Sequence, residues 1–382
     1  MLSDTGALAA FCQRQRGVGF ITVDTEFIRD RTYWPRLCLV QVAGPEEAVA
    51  IDTLAEGLDL TPLLDLLAAP DLLKVFHAAR QDIEIFVNLT GKVPTPLFDT
   101  QIAAMVCGFG EQVGYDVLVH KLVGAKIDKS SRFTDWARRP LSDKQLRYAL
   151  DDVVHLRGCY TKLVERLQRE DRLHWLEQDM AALSDPAQYR VEPDEAWRRL
   201  KSRSTNARYL GILKEIAAWR EREAQRRDVP RPRILRDEAL FEVAAEAPRS
   251  IEALAGLRGV GRGFAEGRLG PDLLAVVARG VALPEHELPQ VERTEPPPQG
   301  IGPLVDLLKV LLKMKCDAHH VAQKVVASSD DLERIAGEAA PDVPALSGWR
   351  RELFGNDALA LKAGRLALAA RGSRIVLLAP AG

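Results

Sequence analysis

The pattern of hydrophobic and polar positions predicts that the chain opens with β-strands. Residues 19–27, 37–42 and 48–52 are rich in β-branched and aromatic side chains, a composition typical of strands. A turn-forming pair, Gly44-Pro45, separates the second stretch from the third. Three strands joined by such short connections predict an antiparallel meander.

Helical spacing of apolar residues follows the meander. Residues 63–67 show this spacing and residues 72–76 predict another strand, so the first part of the chain predicts an α/β domain with a mixed sheet. Ser142 begins a long predicted helix, because Gln145 three residues later completes the sequence of a capping box. The helical pattern continues to about Arg169.

The rest of the chain is predicted to be helical and divided by a proline-rich linker. Residues 284–303 contain six prolines with glutamates between them, a composition that forms neither a helix nor an inner strand. The predicted segments are an α/β domain (1–175), a connecting helical segment (176–204), a basic helical domain (205–284), the linker (285–300) and a second helical domain (301–374).

Composition is that of a soluble globular protein. Of the 382 residues, 47% are hydrophobic and 28% are charged, which is enough apolar material for more than one core. The five cysteines are scattered and never spaced as Cys-x-x-Cys, which argues against a disulfide framework or a zinc ribbon. No secretory signal and no run of about 18 apolar residues is visible, so a cytoplasmic location away from membranes is expected.

Positive charge is concentrated in one segment, although the net charge is only −2. Residues 197–236 contain thirteen Lys and Arg residues against four Asp and Glu residues. A surface that binds a polyanion would explain this excess, and so would a helix face turned towards solvent.

Acidic residues are the first candidates for chemistry. Asp24 and Glu26 are two apart on a predicted strand, so both carboxylates point to the same face. Two adjacent acids are unfavourable unless a cation lies between them, although a strand end meeting solvent would also accommodate them. Asp82 falls in the first turn of a short predicted helix, where its interaction with the helix dipole is an ordinary structural explanation.

Tyr148 and Asp152 are four apart on the long predicted helix and therefore share a face. The pair lies roughly opposite the predicted apolar stripe of that helix, where it would line a cleft or simply face solvent. That stripe comprises Leu146, Leu150, Val153 and Val154.

The order of these features is more specific than any one of them. Asp-x-Glu on a first strand, Asp at the head of a later helix and Tyr-x-x-x-Asp on a long helix resemble the DEDDy branch of the DEDD exonuclease superfamily. Within that branch, residues 1–175 resemble the ribonuclease D family, which implies a ribonuclease H-like mixed sheet with flanking helices. The stretches that carry this resemblance are residues 23–27, 77–86, 98–101, 135–136 and 139–141.

The resemblance implies two divalent metal ions, Mg²⁺ or Mn²⁺, held by four carboxylates. Asp24, Glu26 and Asp152 would bind one ion. Asp24 would also bridge to the second ion, on which Asp82 would act largely through water. Oxygen donors without Cys or His suit these ions better than Zn²⁺, and two cations would neutralise four clustered charges.

The resemblance also suggests roles for the neighbours of the acids. Tyr148 would orient the attacking water, since a phenol with a pKa of about 10 is better suited to positioning than to proton removal. Thr25, Phe27 and His77 are expected to contact the terminal nucleotide, Phe27 by stacking, although Phe27 would also suit a core position.

The helical half resembles an HRDC domain, a small all-α bundle that often contributes to nucleic-acid binding. This resemblance favours the polyanion-binding explanation of the basic segment. It rests on residues 213–221, Ala224, Pro230, residues 248–250 and Leu254. A compatible length and helical pattern predict a second, divergent HRDC-like domain at residues 301–374, which makes two small all-α domains after the α/β domain.

The expected function is that of a metal-dependent 3′→5′ exoribonuclease. By resemblance it would release nucleoside 5′-monophosphates and trim the 3′ ends of tRNA precursors and other small structured RNAs. A DNA 3′→5′ exonuclease is the alternative, because discrimination depends on contacts to the 2′-OH. A catalytically silent RNA-binding adaptor is a further alternative, disfavoured because all four acids and the tyrosine are present. No phosphate-binding loop motif is found, so ATP use is not expected, and a monomer is the simplest assembly.

Overall fold

The computed structural model, which describes residues 1–202, 204–290, 298 and 300–379, begins with an α/β domain. This domain comprises α1 (Thr5–Gln15), β1 (Phe20–Ile28), β2 (Arg36–Ala43), β3 (Ala48–Ile51), α2 (Thr61–Leu67), β4 (Leu73–Phe76), α3 (Arg80–Thr90), β5 (Leu97–Asp99), α4 (Thr100–Val106), α5 (Tyr115–Val123), α6 (Asp143–Arg169) and α7 (Glu177–Leu183).

A five-stranded mixed sheet with the order β3-β2-β1-β4-β5 organises this domain. The antiparallel meander of β1, β2 and β3 is confirmed, and β4 and β5 extend the sheet in parallel with β1. The register of β1 with β2 shifts between Glu26 and Phe27, so a bulge directly follows the two acids. Asp24 and Glu26 lie on the central strand, in the part of β1 that is paired with β2 and extends past its last pair with β4, at Thr22.

Helix α6 begins with the predicted capping box of Ser142 and Gln145, and its predicted apolar stripe is wrong at one position. Val153 is buried, and Leu146 and Leu150 are half-buried and pack against a buried cluster. Val154, placed in that stripe, is 44% exposed. The residues that the helix buries are Ala149, Val153, Leu156, Cys159, Leu163 and Leu167.

The true packing face of α6 depends on small side chains. Ala149 and Cys159 are fully buried and let the helix approach the sheet closely, so shape at the sheet decides burial more than the hydrophobicity of single residues. Tyr148 and Asp152 lie in one i, i+4 row with buried Leu156 and are therefore beside the packing face, not opposite it. This row turns the pair towards the end of β1.

A helical bundle follows the α/β domain. It comprises α8 (Ala207–Arg227), α9 (Arg231–Ile234), α10 (Asp237–Glu246), α11 (Ile251–Ala255), α12 (Arg262–Ala265) and α13 (Leu269–Ala282). Its hydrophobic core includes Tyr33, which belongs to the β1–β2 loop (residues 29–35) of the α/β domain. The Asp228 carboxylate accepts hydrogen bonds from the backbone N–H groups of Tyr33 and Trp34, at 3.0 and 2.9 Å. The bundle is thus attached to the loop that leaves the acid-bearing strand.

Much of the basic segment at residues 197–236 is ion-paired. Three of the acidic partners, Asp194, Glu195 and Asp237, lie just outside the segment, so the sequence count overstated the free positive charge. The pairs are Arg198–Glu195, Arg220–Asp237, Arg222–Asp194, Arg226–Glu223, Arg227–Glu223 and Arg231–Glu221.

The last part of the chain is helical only to Lys362. Its elements are α14 (Gly302–His319), α15 (Gln323–Val326), α16 (Ser329–Gly337), α17 (Gly348–Arg350), α18 (Asn356–Lys362), β6 (Ala367–Arg371) and β7 (Arg374–Leu378). The prediction of an all-helical segment at 301–374 is wrong at its end, where β6 and β7 form an antiparallel hairpin. Gly372, with φ of +63°, permits the tight turn, and β-branched Ile375 and Val376 favour the strand.

This C-terminal unit (residues 300–379) shares its core with the α/β domain. Leu308 of α14 and Leu163 of α6 belong to one hydrophobic cluster. Trp175 and Trp349 stack with centroids 4.2 Å apart, and the Trp349 Nε1–H donates to the Trp175 carbonyl at 3.1 Å. The α/β domain therefore packs against both helical parts of the chain.

The two predicted connecting segments differ in how much of them the structure describes. The proline-rich linker predicted at 285–300 lies largely outside the described residues, which omit 291–297 and 299. The connecting segment at 176–204 contains α7 and two 3₁₀ helices, Pro186–Tyr189 and Pro193–Arg199.

Among the helices that the structure describes, none is long and apolar enough to cross a membrane.

Candidate active site

A cleft of about 770 Å³ opens where β1 ends beside α6. Seven of the eight residues predicted from the sequence line it, namely Asp24, Thr25, Glu26, Phe27, His77, Tyr148 and Asp152. The eighth, Asp82, is buried and is not part of the lining. Spacing in the sequence together with the family resemblance therefore located part of the lining of this cleft.

Three carboxylates converge in the cleft. Asp24 and Glu26 extend from β1 and Asp152 from α6, and one oxygen from each lies within 4.8 Å of the others. Residues two apart on a strand share a face, and α6 packs on that strand, so the sequence pattern leads directly to this cluster. The arrangement offers three oxygen ligands to a single cation.

The electrostatics of the cluster indicate a need for positive charge. Burial, followed by repulsion from Asp152, raises the pKa of Asp24 well above its usual range. Burial and then repulsion from the neighbouring acids raise the pKa of Glu26 to about 10. Burial raises the pKa of Asp152 to about 7, against a hydrogen bond from Tyr148 that lowers it. Without a cation, these carboxyl groups therefore hold protons that an exposed acid would have lost.

Asp82 lies apart from this cluster. Its carboxylate accepts a hydrogen bond from the Thr25 hydroxyl, and burial, followed by the charge of Asp24, raises the pKa of Asp82 well above its usual range. The expected contact of Asp82 with a second metal ion through water stays a prediction.

Tyr148 lines the cleft beside the carboxylates. Burial, followed by the charge of Asp152, raises the pKa of its phenol, so the hydroxyl keeps its proton at neutral pH. Its ring stacks on that of buried Trp136, with centroids 6.1 Å apart and planes inclined by 29°. The phenol is thus held as a fixed hydrogen-bond donor.

The three residues expected to contact the nucleotide are placed differently from one another. The hydroxyl of Thr25 is used by Asp82, and its side chain is buried. His77 has both ring nitrogens within hydrogen-bonding distance of protein atoms, Thr100 Oγ1 at 2.9 Å and the Val113 carbonyl at 3.1 Å, and burial lowers its pKa. Half-buried Phe27 lines the cleft, so its contact with the nucleotide stays a prediction.

The opposite wall of the cleft was missed by sequence reasoning. It is formed by the rim loop (residues 128–136), which brings Lys129, Arg132 and Phe133 to the cleft. This segment has no helical or strand periodicity, and periodicity was the signal used to locate the other residues. Two cationic residues shortly before an aromatic residue were the available indication of Lys129, Arg132 and Phe133.

Gln41 was also missed, although its position on β2 is directly opposite Asp24. Paired residues on neighbouring strands place their side chains on one face. The amide is fully buried, and in the described part of the chain neither of its polar atoms has a hydrogen-bond partner. A polar group in this position was not signalled by the alternation of residues in β2.

Known protein families match the two main parts of the chain. A sequence profile described as 3'-5' exonuclease matches residues 1–168, and one described as HRDC domain matches residues 210–277. The fold is therefore an exonuclease domain with a mixed sheet and helices, followed by an HRDC domain. The HRDC-like character of residues 301–374 stays a prediction.

Relatives align with nearly the whole chain. Proteins named ribonuclease D from Gluconacetobacter diazotrophicus and Granulibacter bethesdensis are 55% and 54% identical to it, over 98% and 99% of this chain and 95% and 96% of theirs. The crystal structure of Escherichia coli RNase D, described as an exoribonuclease involved in structured RNA processing, has a TM-score of 0.79 at 32% identity and covers 95% of this chain and 98% of its own. The chain therefore belongs to the ribonuclease D family of 3′→5′ exoribonucleases.

Proposed function

We propose that the chain removes nucleoside 5′-monophosphates one at a time from the 3′ end of RNA in this cleft. The observation that carries the proposal is the convergence of Asp24, Glu26 and Asp152, with their oxygens within 4.8 Å. Hydrolysis of a phosphodiester needs a positioned water and stabilisation of charge on the phosphate, and a carboxylate site that holds cations provides for both.

Two divalent ions, Mg²⁺ or Mn²⁺, are the proposed cofactors. The donor set supports this, because all the converging groups are oxygens and their pKa values are raised by burial and mutual repulsion. Asp24, Glu26 and Asp152 would hold one ion, and Asp24 and Asp82 the other. Such ions, when bound, stabilise charge on the phosphate and lower the pKa of a bound water.

Side chains of the protein would position the water and the nucleotide. Tyr148 keeps its proton and lies beside Asp152, so it would donate a hydrogen bond to the attacking water instead of removing its proton. His77 has both nitrogens engaged and would offer only its ring to the nucleotide. Thr25 would act mainly by orienting Asp82. Phe27 would stack on the terminal base.

We further propose precursors of tRNA and other small structured RNAs as the substrates. The support is the similarity to Escherichia coli RNase D, which is described as acting in structured RNA processing. All the candidate groups come from one chain, which suits a monomer. The five cysteines are free and buried, which suits the reducing cytoplasm.

A 5′-labelled single-stranded RNA followed on a denaturing gel would test the proposal. With Mg²⁺ or Mn²⁺, we expect a ladder that shortens from the 3′ end, no shortening with chelator, and none with Asp152→Asn. The released product should comigrate with a nucleoside 5′-monophosphate. Shortening that persists in chelator or in Asp152→Asn would contradict the proposal.

A matched DNA strand and a tRNA precursor with a 3′ extension would test the substrate. We expect the RNA to be shortened faster than the DNA, and the extension to be removed while the folded body of the tRNA remains. Equal rates on RNA and DNA would contradict the substrate proposal alone.

A further inference from the structure

Phe133 is displayed to solvent at the mouth of the cleft. Among the exposed large hydrophobic side chains of the described residues, Phe133 is 91% exposed, whereas the next, at the N-terminal Met1, is 55% exposed. Exposure of a phenylalanine ring to water is unfavourable, because burying its apolar surface would stabilise the fold. The side chain also lines the cleft that contains the carboxylates.

The rim loop holds Phe133 in this position. Ser131 and Trp136 on either side of it are each 3% exposed. The Thr134 hydroxyl donates to the Ser131 carbonyl at 2.9 Å, and the Gln145 Nε2 group donates to the Thr134 hydroxyl at 3.2 Å. The exposure of Phe133 therefore results from a loop anchored on both sides.

Positive charge accompanies the ring. The Arg132 guanidinium lies 5.3 Å from the centroid of Phe133, and within the described residues Arg132 forms no ion pair. The positive charge of Arg132 acts on one carboxylate of the cleft: it lowers the pKa of Asp152, against the larger effect of burial. Lys129, by contrast, is paired with Asp116 at 2.6 Å. The rim loop thus combines an exposed aromatic ring, Phe133, with a cation, Arg132, that has no ion-pair partner among the described residues.

We infer that Phe133 and Arg132 form a nucleotide-binding subsite, in which Phe133 stacks on a base of the RNA strand near its 3′ end and Arg132 binds a phosphate. This inference rests on the proposed function and specifies how the same cleft holds its substrate. An aromatic face accepts any base, and a guanidinium binds phosphate by charge-assisted hydrogen bonds. The subsite therefore binds the RNA strand without preference for its base sequence.

Binding of 5′-fluorescein-labelled oligoadenylate, measured by anisotropy in chelator, tests the subsite without turnover. Phe133→Ala should weaken binding by about 10-fold, within the range found for stacking on one base. Phe133→Trp should bind like the wild type. Leu89→Ala is the matched control, because Leu89 is also exposed, at 51%, but lies outside the cleft.

An oligonucleotide with abasic sites at its last nucleotides identifies stacking as the cause. The wild type and Phe133→Ala should bind this abasic RNA equally, because no base remains to stack. Unchanged oligoadenylate binding by Phe133→Ala, an equal loss on abasic RNA, or no RNA binding by the wild type would each overturn the inference.

The same set of proteins separates this inference from the proposed function. Wild type that shortens RNA with Mg²⁺ while Phe133→Ala binds normally would refute only the subsite. A base-dependent loss of binding in Phe133→Ala, with no shortening of RNA by the wild type, would refute only the proposed function. The melting temperature of Phe133→Ala should equal that of the wild type, since the ring is exposed.

Discussion

Tyr148 illustrates how the surroundings of a side chain limit its chemistry. Burial raises the pKa of its phenol, and the neighbouring carboxylates raise it further because ionisation would add another negative charge. A proton that stays on the oxygen at neutral pH makes the group a donor. The role we propose for it is to orient the water beside Asp152, whose pKa its hydroxyl lowers against the larger effect of burial.

Replacing Tyr148 by Phe should therefore lower kcat and leave the metal site intact. We expect kcat on a short RNA to fall by about 10²-fold, at the lower end of what a positioned proton-handling group contributes, with little change in KM. The increase in melting temperature produced by Mg²⁺ should be unchanged, because all the carboxylates remain. Wild-type kcat in Tyr148→Phe would remove Tyr148 from the mechanism.

The raised pKa values of Glu26 and Asp152 predict a pH-dependent response to metal. Their pKa values of about 10 and 7 lie above the usual carboxyl values, so the protonated forms stabilise the metal-free fold. That stabilisation is fully present below the usual carboxyl pKa and is lost as pH rises through about 7 and beyond. Metal binding has the opposite dependence, because the ligands must lose their protons.

We accordingly expect Mg²⁺ to raise the melting temperature more at about pH 8 than at about pH 6, by several degrees. Thermal unfolding with saturating Mg²⁺ and with chelator measures the difference. Asp152→Asn, which removes one ligand and one titrating group, should show a smaller increase at both pH values. An increase that is independent of pH would contradict the electrostatic description of the cluster.

Some residues of the candidate site could be predicted from the sequence and others could not, for a physical reason. Asp24 and Glu26 are two apart on a strand, and Tyr148 and Asp152 four apart on a helix, so backbone geometry alone fixes each pair. Phe133 depends on the path of a loop without periodicity. That path is set by contacts of the loop with α6, which no local pattern encodes.

At the scale of elements, the face that α6 buries shows how far hydrophobicity alone predicts packing. Its start was predicted correctly, because the capping box of Ser142 and Gln145 is a local interaction. Its packing face was predicted only in part, because a sheet selects residues that allow close approach. Hydrophobicity favoured Val154, but the sheet accepts Ala149 and Cys159 instead.

The contact between the HRDC domain and the β1–β2 loop depends on a buried acid. Glu221 of α8 is 1% exposed and accepts hydrogen bonds from Arg231, at 2.6 Å, and from the Tyr33 hydroxyl. Burial opposes its ionisation, but these hydrogen bonds prevail and lower the pKa of Glu221. Glu221 is therefore charged and buried, and its partner Arg231 is partly exposed.

Glu221→Ala should destabilise the protein, since it leaves the Arg231 charge and the Tyr33 hydroxyl without their partner. We expect a loss of roughly 2–3 kcal/mol in the free energy of unfolding, below the full effect for a buried pair because Arg231 is partly exposed. Urea denaturation would measure it. The control is Glu238→Ala, an exposed acid for which a change under about 1 kcal/mol is expected. Equal stability of the two variants would contradict the prediction.

At the scale of the whole molecule, the exonuclease domain and the C-terminal unit should unfold together, because they share one core. Trp349→Ala removes the ring that stacks on Trp175 and should lower the free energy of unfolding by about 3–4 kcal/mol. Tryptophan fluorescence and residual exonuclease activity should be lost at the same urea concentration in the wild type and at the same lower concentration in the variant.

The control for this prediction is Val310→Ala on α14, whose side chain is 39% exposed and should contribute under about 1 kcal/mol. Loss of the fluorescence signal at a urea concentration that leaves activity intact would show that the C-terminal unit unfolds alone. That outcome would contradict a single shared core.

The shared core also has a consequence for how the protein is made. Helix α6, with Tyr148 and Asp152, leaves the ribosome long before the residues of α14 and α18 that complete its hydrophobic cluster. The nascent nuclease domain must therefore wait for α14 to α18 to be synthesised before it acquires its full packing. We expect the cleft to mature only after these helices emerge, so the messenger RNA does not meet a completed nuclease while the ribosome is still reading the codons that precede them.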